Sequence, residues 1–327
     1  SGFIIIKRTI SQEESEEVGR LIEEGALVGV RLEPDSGRVY PEGALASHVI
    51  GYAGVENVGL DGAEYMFNGD LLPAEPTDRE LSGNQLFLTL DVAVQSAVRE
   101  IALSTLEEHD ADSVTSVLMD SRTGELLAYV SVPDFDPNRF AEYSPEERRN
   151  RPIAMVYEPG SVFKIFSIGS LLHLGGLSRE DRFNTSGGYR PNGEEFLISD
   201  LNDYGVVDVE EIIKFSSNVG AALASETASA DSFHRMLRMF GFGERTGVSL
   251  NGEERGLLEE PEEWSGRTQQ TIAIGQEIGV TALQLVSAAT VFANEGVLIR
   301  PQIVDRIVSP EGKTIRRFSR EPVREVV

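Results

Sequence analysis

The chain has 327 residues, 40% of them hydrophobic, enough for one large or two medium domains with a sizeable core. Acidic residues outnumber basic ones 54 to 29, a net charge of −25, so a nucleic-acid backbone would be repelled. Cysteine is absent, which excludes disulfides, thiolate metal sites and a cysteine nucleophile; the four histidines, His48, His109, His173 and His234, have no metal-like spacing.

No apolar run reaches eighteen residues, so no transmembrane helix is expected, and Ser1-Gly2-Phe3 opens without a signal peptide. Only Lys7, Lys164, Lys214 and Lys313 carry amines, so most basic residues are arginine. That excess of acid with arginine over lysine suggests adaptation to a saline exterior.

Residues 1–80 read as a small module equipped for packing and docking rather than chemistry. Phe3–Ile6 is a short strand candidate, and Ser11-Gln12-Glu13-Glu14 opens a capped, charged helix to Glu24. Val28–Leu32 reads as a strand, Gly37–Pro41 as an extended turn and Leu45–Tyr52 as a short helix or strand. Glycines from Gly51 to Gly69 imply loops, and Arg38, His48, Asp61 and Glu64 are polar residues of this turn-rich module. Residues 73–84, with Pro73, Pro76, Ser82 and Gly83, are linker-like and mark a domain boundary.

A second domain, 85–327, follows. Leu86–Leu90 is a strand, and Asp91 caps a helix to about His109 with an apolar stripe of Val94, Val98, Ile101, Ala102 and Leu106. Ser113–Asp120 and Glu125–Val132 form a hairpin. A polar excursion, Asp134–Arg151, leads to a Pro159-Gly160 turn and a long helix that ends at Leu174-Gly175-Gly176. Residues 184–207 read as loops with short strands. Asp208 caps a helix to about Phe215, Ser216-Ser217-Asn218 interrupts it, and a second helix runs from Val219 to Thr227. Asp231 is the expected cap of a third helix with Phe233, Met236, Leu237 and Phe240 inward. Gly241–Trp264 is loop and short-strand material, Thr281–Asn294 an apolar helix, and Ile303–Val308 with Lys313–Phe318 a hairpin.

Two clusters carry chemistry. Ser161 and Lys164 stand three apart at a helix start, where residues share a face. A serine hydroxyl needs a base, and a lysine serves only when neutral, which apolar neighbours such as Phe163, Ile165 and Phe166 favour. The helix N-terminus favours an alkoxide and offers the Ser161 backbone N–H as half of an oxyanion hole. Ser216 is placed to relay a proton, and Asn218 to hold the lysine amine or a substrate carbonyl; the plainer reading of this triplet is a helix cap.

Ser161-x-x-Lys164 followed by Ser216-x-Asn218 resembles the first two motifs of the penicillin-recognising serine acyltransferases. Arg38–Pro41, Leu45–Gly51 and Gly59–Glu64 resemble the pedestal module of class B penicillin-binding proteins. Tyr157–Lys164 and Ile274–Gln284 resemble their transpeptidase domain, and His48–Tyr52 leans toward the cell-division and sporulation branch. The resemblance implies an α+β fold: an antiparallel sheet flanked by helices, behind a smaller α+β pedestal. It implies a membrane-anchored peptidoglycan D,D-transpeptidase on the outer face of a bacterial cytoplasmic membrane, without cofactor or metal. Ser161, Lys164, Ser216 and Asn218 would be catalytic, with the Ser161 N–H in the oxyanion hole. Implied partners are D-Ala-D-Ala stem peptides, β-lactams, a membrane glycosyltransferase and divisome-type proteins. The alternative is a non-catalytic penicillin-sensing or scaffold module; a β-lactamase is disfavoured by the pedestal.

The family's third motif, Lys-Thr/Ser-Gly, is not found: Lys313-Thr314 precedes Ile315 in the tail hairpin. On the resemblance, the chain is expected to be an internal fragment without the membrane anchor or the later strands. Such a fragment would expose apolar surface and be poorly stable or inactive alone.

Overall fold

The computed structural model describes residues 3–7, 10–33, 37–54, 57–72, 83–193 and 195–327. The chain divides into two compact units, Ser1–Arg38 and Val39–Val327.

In the first unit Ser11 caps α1 (Gln12–Glu23) through the expected capping box: Ser11 Oγ accepts from the Glu14 N–H, and the Glu14 carboxylate accepts from the Ser11 N–H. No residue of α1 is buried. The strands expected at Phe3–Ile6 and Val28–Leu32 do not form. Strand-prone residues make a strand only where a neighbour satisfies their backbone groups; Phe3, Ile4, Ile6 and Val28 are instead 75–91% exposed.

The second unit opens with α2 (Ser47–Ile50), α3 (Gly62–Met66) and α4 (Asn68–Leu71). The expectation of loops across 51–69 is thus corrected. Asp61 caps α3 by accepting from the Gly62 N–H, and Gly51 and Gly62 meet backbone to backbone, where a Cβ on Gly62 would lie 2.6 Å from the Gly51 nitrogen. Val49, Ala63 and Phe67 are buried with Leu126, Tyr129, Leu283 and Ile307. The expected linker at 73–84 lies, apart from Gly83 and Asn84, outside the described residues.

The order continues β1 (Gln85–Leu88), α5 (Val92–Glu108), β2 (Val114–Met119), β3 (Leu126–Val132), α6 (Arg151–Ala154), α7 (Lys164–His173), β4 (Arg182–Asn184), β5 (Val206–Asp208), α8 (Val209–Phe215), α9 (Asn218–Ser225) and α10 (Ala230–Met239). It closes with α11 (Thr268–Ala273), α12 (Ala282–Ala293), β6 (Val297–Ile299), β7 (Val304–Val308), β8 (Thr314–Arg317) and β9 (Pro322–Glu325). The fold is α+β, with antiparallel pairings β1-β7-β8, β2-β3, β4-β5 and β6-β9.

Asp91 caps α5 as expected. Its inner face, however, is Gln95, Val98, Ala102 and Leu106, and Ile101 is 67% exposed. Gln95 is buried because both ends of its amide are used, donating to Tyr129 O at 2.9 Å and accepting from Tyr129 N–H at 2.7 Å. Ser229, not Asp231, caps α10, because its hydroxyl is the one that reaches the Ser232 N–H. The tail hairpin β7–β8 forms in the expected place, and β8 is exposed along its length.

The core that carries the site is aromatic and small-residue. Phe163, Phe166 and Leu171 from the α7 region pack on Val219, Ala221, Ala222 and Ala224 of α9 and on Phe240 and Phe242. The Phe163 ring lies 4.8 Å from that of Phe242, tilted as aromatic pairs prefer. Gly220 lets α9 close on α8: a Cβ there would lie 2.7 Å from Ile212.

Candidate active site

Ser161 sits in a 3-10 turn, Gly160–Phe163, that runs into α7 at Lys164. The chain is delivered there by backbone pairing of Tyr157 with Val280, two N–H···O bonds of 3.0 and 2.9 Å. Gly160 has φ +59° and donates its N–H to Gly275 O at 2.9 Å. Gly275, at φ +83°, has no room for a side chain, since a Cβ would lie 2.0 Å from Gly160 O. Two glycines therefore set the height of the serine.

Lys164 is 2% exposed although charged residues are rarely buried unpaired. Its Nζ lies 2.8 Å from Ser161 Oγ, 3.2 Å from Ser216 Oγ and 2.7 Å from Asn218 Oδ1. Burial pushes its pKa down from the usual lysine range to about 8, against the nearby Asp200 charge, which pulls it up. The structure thus gathers all four sequence candidates, Ser161, Lys164, Ser216 and Asn218, around one amine.

Ser216 ends α8 in the left-handed region, φ 56° and ψ 41°, an uncommon place for a residue with a side chain. Ser217 is the cap of α9: its Oγ accepts from the Gly220 N–H at 2.8 Å. The Asn218 amide is oriented by its own contacts, Nδ2 donating to Ser199 O at 3.1 Å, so Oδ1 faces the lysine.

Sequence reasoning overlooked Asp200. Its carboxylate accepts from Ser217 Oγ at 2.7 Å, Asn218 N–H at 2.5 Å and Val219 N–H at 3.0 Å. A carboxylate at the start of α9 satisfies orphan donors and suits the helix dipole. Its partners are seventeen to nineteen residues away, so no local pattern marks it. Also overlooked was Glu158, which accepts from the Glu277 N–H at 2.8 Å.

Over the serine lies a cleft of about 260 Å³, lined by Gly160, Ser161, Phe196–Ser199, Asn218, Ile274 and Gln276. Lys313 and Thr314 lie elsewhere, at the turn and the start of the exposed β8 strand of the tail hairpin. No helix of the described residues is long and apolar enough to cross a membrane.

The chain matches two family models: the penicillin-binding protein transpeptidase domain over residues 114–327 and the penicillin-binding protein dimerisation domain over residues 1–69. It is 32% identical to the probable peptidoglycan D,D-transpeptidase PenA of Neisseria gonorrhoeae, over 99% of this chain and 58% of that protein. Stage V sporulation protein D of Bacillus subtilis is 30% identical over 98% of this chain and 52% of its own length. Penicillin-binding protein 3 of Mycobacterium tuberculosis, solved in the apo form, superposes with a TM-score of 0.81 at 30% identity, covering 88% of this chain and 65% of that one. The same protein has been solved with aztreonam and with ampicillin. The chain spans little more than half the length of the curated relatives it matches. With a transpeptidase-domain match over most of its length and a dimerisation-domain match ahead of it, the chain belongs to the penicillin-binding protein family.

Proposed function

We propose that the protein is a peptidoglycan D,D-transpeptidase acting through an acyl-enzyme on Ser161, with residues 1–80 as pedestal and 85–327 as transpeptidase domain. One observation carries the reading: a buried lysine amine, lowered to about 8, within 2.8 Å of an exposed serine hydroxyl at a cleft. Neutral Lys164 takes the proton of Ser161 as Oγ attacks the carbonyl of the penultimate D-Ala. The Ser161 N–H meets the developing oxyanion at the start of the helix. Ser216, the second hydroxyl on the amine, carries the proton from Lys164 to the departing D-Ala nitrogen. An amine of a second stem peptide then attacks the ester, gives its proton back through the same pair and frees Ser161. β-Lactams place a strained amide at the same point and acylate the serine.

In this reading the protein works on the outer face of a bacterial cytoplasmic membrane. A membrane glycosyltransferase supplies glycan, and division-type assembly proteins are its partners; the name of one relative, the probable peptidoglycan D,D-transpeptidase PenA, supports the cell-wall role. The test uses the full-length protein with a fluorescent penicillin and intact-mass measurement. A one-to-one adduct on Ser161, lost in Ser161→Ala, is expected, and no adduct overturns the reading. An adduct without release of D-Ala from a D-Ala-D-Ala peptide would mark a sensing module instead.

A further inference from the structure

We propose that Arg267 is a positioning residue for the acyl donor: it fixes the Phe196 wall of the cleft and so sets which acyl side chains the cleft accepts. The inference rests on the acyl-enzyme reading above.

Phe196 and Leu197 line the cleft and are 37% and 43% exposed, apolar surface kept open where a ligand would cover it. They lie in the long connection between β4 and β5, whose backbone is closed by the Tyr189–Ile198 pairing, two N–H···O bonds of 2.8 Å, while the Phe196 ring itself needs a side-chain hold. The Arg267 guanidinium supplies that hold, 4.7 Å from the Phe196 ring centroid. A second tie joins the same two segments, the Asn192 amide donating to Gly266 O.

Arg267 is itself braced. Its Nε donates to Glu277 Oε1 at 3.0 Å, and Glu277 Oε2 accepts from Thr268 Oγ1 at 2.8 Å. Glu277 is held at φ 56°, a left-handed conformation uncommon for a residue with a side chain and kept only where the surroundings over-determine it. Its N–H goes to Glu158, three positions before the nucleophile. Phe196, Arg267, Glu277 and Glu158 therefore form a continuous chain from the cleft wall to the serine turn. The part of an acyl donor that extends away from the reacting carbonyl meets a wall whose distance from Ser161 is fixed.

The test measures second-order acylation constants of the full-length protein with 6-aminopenicillanic acid, which has no acyl side chain, and piperacillin, which has a large one. Arg267→Ala lowers the piperacillin constant about tenfold and the other less than about twofold. Phe196→Ala, at an exposed position, does the same, and the double variant adds little to either. Arg267→Lys, which keeps a cation over the ring, retains part of the selectivity. An equal fall for both compounds, no change for either, or fully multiplicative effects in the double variant overturns the proposal. A wild-type protein that takes up no penicillin overturns the acyl-enzyme reading itself, a separate result.

Discussion

Asn218 Oδ1 lies 2.7 Å from Lys164 Nζ, closer than either serine hydroxyl. An amide oxygen only accepts, so one N–H of the amine is committed to it in either protonation state. When the amine is neutral, that commitment helps turn its lone pair toward the two hydroxyls, which is what a base needs. Asn218→Asp keeps the shape and adds a negative charge beside the amine. The charge favours the ammonium form, raising the lysine pKa above its value of about 8. Acylation at pH 7 is expected to fall roughly tenfold or more, with partial recovery at pH 10. Stopped-flow rates that fall equally at both pH values would count against it.

The wild-type pH profile follows from the same amine. With a pKa of about 8, roughly a tenth of Lys164 is neutral at pH 7 and most of it at pH 9. Since the neutral form is the base, acylation rises about tenfold between those values and levels off above them. A profile flat from pH 6.5 to 9 would rule out Lys164 as the titrating base.

Much of the site was legible because its chemistry lies at short sequence spacing. Ser161 and Lys164 share one turn, and Ser217 and Asn218 begin a helix whose apolar face is plain. What was not legible is what joins distant segments. Asp200 reaches across a loop to the α9 start, and Gly275 fits under Gly160 from more than a hundred residues away. Among the elements, Phe3–Ile6 and Val28–Leu32 have strand composition, but a strand is a pairing, which composition does not report. The α5 stripe was misjudged at Ile101 because the buried face is centred on a glutamine, which hydropathy scores as polar. Elements such as α6 and β6, four and three residues long, are too short for a period to show.

Gly275→Ala tests the backbone that sets the serine. A Cβ would lie 2.0 Å from Gly160 O, and φ +83° already disfavours it. Neither contact yields easily, because both sides are main chain. The substitution should cost about 2 kcal/mol or more in stability and lower acylation more than tenfold by displacing Ser161. Gly160→Ala meets no neighbour, only the unfavourable φ, and should cost about 1 kcal/mol. Denaturant unfolding and acylation rates together check both; equal effects would contradict the geometry.

A net charge of −25 predicts a salt response. The Debye length shrinks from about 10 Å at 0.1 M to about 3 Å at 1 M, so repulsion among the acids is screened. The exposed ion pairs, such as Lys7 with Glu14 and Arg20 with Glu24, contribute little and lose little. The melting temperature should rise by several degrees between 0.1 and 1 M NaCl, about 2–4 °C for each kcal/mol gained. A flat or falling curve would count against adaptation to salt.

Asp200→Asn separates two roles of one carboxylate. Structurally, Asp200 accepts from Ser217 Oγ and from the Asn218 and Val219 N–H groups, and a neutral amide turned to offer one oxygen loses part of that set. The cost should be about 1–2 kcal/mol, in the range of a lost helix cap. Electrostatically, the Asp200 charge opposes the burial that lowers Lys164. Removing it lets burial act alone, so the lysine pKa falls below about 8 and the acylation profile shifts to lower pH. The plateau rate should drop, because Asn218 is less well held, while the fraction of that rate reached at pH 7 goes up. Asn218→Asp moves the profile the other way, and the opposite signs on two sides of one amine tie the titration to Lys164 rather than to the substrate. A profile that stays in place while the plateau falls would leave Asp200 a structural cap alone.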